Sequence, residues 1–100
     1  MIDYHKKILK LLERVKEQVT KIKEDKVIDL GKVAKIHSDL QRTFYPLSKE
    51  EKEKYLTETD IYLLDQIEDF CMCFSLYAIN RGNVSQNLLD QMDKILDSYL

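Results

Sequence analysis

The chain predicts an all-α fold, an antiparallel bundle of four main helices plus one short helix, forming one domain over residues 1–100. Three observations lead there. Apolar residues recur at i, i+3, i+4 and i+7 over long stretches, the spacing that lines one face of an α-helix. Only two Gly and one Pro interrupt the chain, too few for the many turns of an all-β fold. Hydrophobic residues are 44% and charged residues 34% of the total, a composition that folds around a modest core and keeps a charged exterior.

The first segment is expected from about Asp3 to Glu24. Tyr4, Ile8, Leu11, Leu12, Val15, Val19 and Ile22 fall on one face of it, an amphipathic stripe about six turns long. The second runs from about Leu30 to Phe44, with Leu30, Val33, Ile36, Leu40 and Phe44 on its apolar face. Asp29 precedes it as a cap, because its carboxylate can accept from the free N–H groups of the first turn. Pro46 closes this segment, since the residue before a proline is pushed out of the α region. Ser48-Lys49-Glu50-Glu51 then fits a capping box, which opens a short polar helix to about Leu56.

The fourth segment opens near Thr59 or Asp60 and extends to about Asn80. Its apolar arc holds Leu63, Leu64, Ile67, Phe70, Cys71, Phe74, Tyr77 and Ala78. Met72, Leu76 and Ile79 fall on the opposite side, so the later half is apolar nearly all round. Such a helix sits at the centre of a bundle or meets a partner on its second face. Met72, Leu76 and Ile79 are therefore the candidate partner-binding strip. Asn80-Arg81-Gly82-Asn83 supplies the stop, with Gly82 suited to a left-handed cap. The fifth segment follows Ser85 and carries Leu88, Leu89, Met92, Ile95, Leu96 and Tyr99 on one face. The connection is short, which makes the fourth and fifth helices a hairpin.

The net charge of −2 conceals an asymmetry: residues 1–54 sum to +4 and residues 55–100 to −6. Two halves of opposite sign attract within one fold, and also steer a charged partner. On the first segment Lys7, Lys10, Arg14 and Lys21 share an arc, the candidate basic face for phosphate groups of lipid or nucleic acid. Asp3 and Glu17 fall in the same arc, a mixture that favours a solubilising face supported by i, i+4 pairs. Asp65, Glu68 and Asp69 form a candidate acidic face on the fourth segment. Glu68 is followed at i+3 by Cys71 rather than His, so the carboxylate metal pattern of helical bundles is not met.

Cys71 and Cys73 stand at i, i+2, about 200° apart around a helix, which keeps the two sulfurs from sharing one ion. Cys71 reads as a small core residue and Cys73 as partly exposed; no stoichiometric zinc is expected. His5 and His37 sit at the edges of apolar faces with no nucleophile in motif spacing, and read as hydrogen-bonded boundary residues. No Gly-rich phosphate loop occurs. The expectation is no catalytic site, no metal and no cofactor. The absence of a long apolar run and of a signal-peptide pattern points to a cytoplasmic protein.

The segments Leu63-Leu64-Asp65-Gln66-Ile67, Tyr77-Ala78-Ile79-Asn80-Arg81 and Leu88-Leu89-Asp90-Gln91-Met92 resemble the second half of small bacteriocin immunity proteins. That resemblance implies a cytosolic antiparallel four-helix bundle that protects a producer cell from its own pore-forming peptide. The polar helix after Pro46 and the apolar stretch Phe70 to Ile79 depart from the family's pattern.

The function expected from these readings is non-catalytic: binding another protein, as an inhibitor, immunity or regulatory factor acting through its helical surface, in a bacterium or phage. One alternative is a bacteriocin immunity protein at the cytosolic membrane face, making peripheral contact through the basic arc. A second is a nucleic-acid-associated regulator, against which the mixed charges argue. Uncovered apolar residues on the fourth helix also lead to the expectation of a homodimer.

Overall fold

The computed structural model describes residues 3–25, 28–73 and 86–100. Those residues are all-helical, with five helices and no strand among them: α1 (Tyr4–Asp25), α2 (Leu30–Phe44), α3 (Lys49–Tyr55), α4 (Glu58–Cys73) and α5 (Gln86–Tyr99).

The starts of these helices follow from side chains that satisfy free N–H groups. Asp3 Oδ1 accepts from the Lys6 N–H at 3.0 Å and Asp29 Oδ1 from the Lys32 N–H at 3.1 Å. Ser48 and Glu51 form the expected reciprocal box, at 3.1 and 3.2 Å. α4 begins earlier than the expected Thr59 or Asp60. The reason is a second box: the Asp60 N–H donates to Thr57 Oγ1 at 3.1 Å, and the Thr57 N–H donates to Asp60 Oδ2 at 3.0 Å. The expected continuation of the fourth helix to Asn80, the Gly82 cap and the hairpin connection lie outside the described residues.

The core is drawn from four of the five helices. α1 buries Ile8, Leu11, Leu12, Val15, Val19 and Ile22; α2 buries Val33, Ile36, Leu40 and Phe44. α4 contributes Leu63, Ile67, Phe70 and Cys71, and α5 contributes Leu89, Met92, Ile95 and Leu96. Each such side chain contributes about 1.5–3 kcal/mol relative to remaining in water. α1 packs on α2, α4 and α5, and α4 packs on α2 and α5. α3 buries no residue of its own; it is held by Leu56, which is buried just beyond it, and by the Tyr4 ring, which lies 5.7 Å from that of Tyr55 and 5.8 Å from that of Phe44. Five positions expected on apolar faces are shallower than their periodicity implies: Tyr4, Leu30, Leu64 and Leu88 are half-buried, and Tyr99 is exposed.

Polar ties join the basic half of the chain to the acidic half. His5 on α1 meets Asp60 on α4. Lys23 on α1 pairs with Asp93 on α5, whose carboxylate holds the lysine pKa above its ordinary value. Within the acidic half, Gln66 and Gln91 bond across α4 and α5. The charge asymmetry is thus partly neutralised inside the fold.

Candidate functional site

Two surfaces collect the candidate residues. The first lies between α1 and α2, where low-numbered residues of α1 stand beside high-numbered residues of α2. Arg14 Nη1 donates to Asp39 Oδ2 at 2.8 Å, and further along Lys32 Nζ lies 3.5 Å from Glu17 Oε1. The seam opens into a groove of about 320 Å³ lined by Lys7, Lys10, Leu11, Arg14, Asp39, Arg42, Thr43 and Phe44. Three of the four residues of the expected basic face therefore stand together. Lys21 does not join them: it sits about 10 Å further along α1 than Arg14, and pairs with Glu17 at 3.8 Å. Arg42 takes its place from α2.

Among the described residues, Asp39 is the one acidic side chain lining this groove. Its hydrogen bond from Arg14 holds the carboxyl below the ordinary carboxylate range against a smaller opposing effect of desolvation. Lys7, Lys10 and Arg42 form no ion pair with a described residue. A second hollow of about 220 Å³ is lined by Arg14, Glu17, Gln18, Lys32, Lys35 and Ile36. Gln18 is buried there, and its Oε1 has no hydrogen-bond partner among the described residues.

The second surface is the outward side of α4. Ile61, Met72, Asp65, Glu58, Asp69, Tyr62 and Cys73 are all exposed and fall, in that order, across an arc of about 120° at about 100° per residue. Ile61 and Met72 form one edge, Tyr62 and Cys73 the other, and Glu58, Asp65 and Asp69 run between them. Met72 of the expected partner-binding strip is 57% exposed; Leu76 and Ile79 lie outside the described residues. The expected acidic face is divided. Asp65 and Asp69 face outward, whereas Glu68 turns to α2, where its Oε1 accepts from the Tyr45 hydroxyl at 2.7 Å and lies 3.9 Å from His37 Nε2. That hydrogen bond raises the Tyr45 pKa.

Cys71 is buried and Cys73 exposed. Burial, with a smaller contribution from the Glu68 charge, pushes the Cys71 thiol up to about 12. Thiolate is the reactive form, so native protein is expected to show one fast-reacting thiol with a disulfide reagent at neutral pH. The second should react only after denaturant is added. Two equally fast thiols would contradict the burial of Cys71. No group of three or more His, Cys, Asp or Glu side chains with metal-binding geometry occurs among the described residues, and no described helix is long and apolar enough to cross a membrane.

No protein-family model, curated protein or solved structure matches this chain. The functional reading therefore rests on the two surfaces themselves.

Three features escaped the sequence reading. The box Thr57-x-x-Asp60 carries the same signature as Ser48-x-x-Glu51, yet the apolar run after it drew the helix start too late. Asp60 is buried, its side chain only 3% exposed, and the ring of His5 donates from Nδ1 to Oδ1 at 2.8 Å; no spacing rule links positions 55 residues apart. Gln18 falls at i+3 from Val15 and i−4 from Ile22, which placed it on the buried stripe of α1, where its polarity conceals it.

Proposed function

We propose that this chain is a non-catalytic protein-binding module that meets its partner through the outward face of α4. The observation that carries the reading is the exposure of Ile61 (41%), Tyr62 (45%) and Met72 (57%) on one face. Large apolar and aromatic side chains grouped on one helical face favour desolvation by a partner. The carboxylates between them form no ion pair with a described residue, so they select a surface that is basic as well as apolar.

In this reading the helices form an antiparallel bundle of four main helices with α3 as a short strap, and the protein acts in the cytoplasm as an inhibitor, immunity or regulatory factor. The partner is a different protein. A twofold dimer through the same face would bring Asp65 and Asp69 of two copies near one another, and that repulsion opposes self-pairing.

The test compares the wild-type chain with the double variant Tyr62→Ala, Met72→Asp and with Lys16→Ala as a surface control. All three are expected to be equally stable within about 0.5 kcal/mol, because the changes are on the surface. In quantitative affinity capture from the producing cell, a partner held by wild type and by Lys16→Ala should be lost from the double variant. Retention by the double variant would overturn the reading. Light scattering is expected to give a mass near 11.9 kDa; twice that value, reduced by the double variant, would transfer the face to a homodimer.

A further inference from the structure

We infer that the groove between α1 and α2 is a binding site for a phosphate group, held by Lys7, Lys10 and Arg42. The inference is independent of the α4 face. Three observations converge. First, the groove is concave and about 320 Å³ in volume, at the lower end of small-ligand sites and ample for a phosphate with a small substituent. Second, four cations line it against one carboxylate. Three of the four, Lys7, Lys10 and Arg42, form no ion pair with a described residue. Third, the cations come from two helices and face one hollow whose floor is apolar: Leu11 and Phe44 are almost wholly buried. Low-dielectric walls beside converging charges concentrate the field on an anion.

The chemistry selects phosphate over a carboxylate. Arg42 presents a planar fork suited to two oxygens, and the two lysines add point charges that match a dianion better than a monoanion. Thr43 lines the same groove, and a threonine hydroxyl is a neutral donor. Arg14 is the fourth cation but is engaged by Asp39 at 2.8 Å. Asp39 therefore weakens the site by its own charge and by occupying a donor.

A phosphate group comes from two sources, a soluble phosphate or the headgroup of an anionic lipid, and the experiment separates them. One arm titrates inorganic phosphate and follows backbone amide shifts by NMR. The other measures co-sedimentation with phosphatidylcholine vesicles with and without phosphatidylglycerol. Wild type is compared with Lys10→Glu, Arg42→Glu and with Lys49→Glu, Lys94→Glu, a double variant of identical net charge whose changes lie outside the groove. Saturable binding in either arm, centred on residues 7–14 and 39–44, is expected, and the arm that shows it names the source. Lys10→Glu, Arg42→Glu should weaken it at least about tenfold, and the control by less than about threefold. Asp39→Asn should tighten it by roughly threefold to tenfold, an effect that loss of structure cannot produce.

Equal weakening by both double variants would overturn the inference, as would no saturable binding in either arm. So would binding of a short single-stranded oligonucleotide without any response to phosphate or to anionic vesicles, because that describes a diffuse polyanion surface.

Discussion

Phe70→Ala is expected to lower the unfolding free energy by about 3–5 kcal/mol. A domain of this size has a total stability of about 5–15 kcal/mol, so the variant should sit close to its unfolding threshold. Phe70 is fully buried, on a helix that packs against α1, α2 and α5 together. Deleting its ring loses the transfer free energy of the removed carbons and leaves a cavity that three helices must close at once. Ile67, one turn earlier, is equally buried, so the cavity has no flexible wall to collapse from that side. Urea unfolding checks this: the midpoint should fall with the slope unchanged. Met72→Ala, on the outward face of the same helix, should change stability by less than about 0.5 kcal/mol. A loss under about 1 kcal/mol for Phe70→Ala would mean that α4 is not central to the core.

The contrast between Phe70 and Met72 shows what periodicity can and cannot establish. Spacing placed Ile67, Phe70 and Cys71 on one side of α4 and Met72 on the other, and all four burial states agree. The same rule located α1 and α2 to within one residue, because their apolar positions repeat over several turns and their caps are local. Phe74, expected beside Phe70 in the core, lies outside the described residues. The sequence reading faltered where a residue's role depends on another helix. Lys7, Lys10, Arg14 and Lys21 share an arc of α1, but an arc has no length. It could not show that Lys21 is beyond the groove, or that Arg42 completes it from α2. Glu68 shares a side with Asp65 and Asp69, yet one helical edge is enough to turn it to Tyr45. Pairings of this kind are set by how helices dock, which no local spacing encodes.

Asp60 is the extreme case, and the second large effect is expected there. Its carboxylate is nearly inaccessible and accepts from the Thr57 N–H at 3.0 Å and the His5 ring at 2.8 Å. Asp60→Ala removes both hydrogen bonds at once, breaks the box that starts α4 and unties α1 from α4. Helix caps contribute about 0.5–2 kcal/mol and a hydrogen bond to a charged group about 1.5–3 kcal/mol. The combined loss is expected at about 2–4 kcal/mol, with part of the two terms shared through one carboxylate.

Acid should produce the same loss reversibly. Burial alone pushes the Asp60 carboxyl up, but the His5 ring and the Thr57 donors outweigh it and hold the pKa below the ordinary value. A depressed carboxyl pKa contributes stability that is fully present above the unfolded value, about 3.9. It is lost as pH falls through the lower folded value, because protons then bind both states alike. The comparison with Asp60→Asn isolates this contribution, since an amide keeps an acceptor for Thr57 but does not ionise. The gap in unfolding free energy between wild type and Asp60→Asn should be fully developed at about pH 5 and shrink below about pH 4. In the His5→Ala background the same gap should be smaller throughout, because the largest of the forces that favour the ionised carboxyl is gone. A gap that stays constant into the acid range would show that Asp60 titrates normally, and that the 2.8 Å contact with His5 carries no charge-dependent stability.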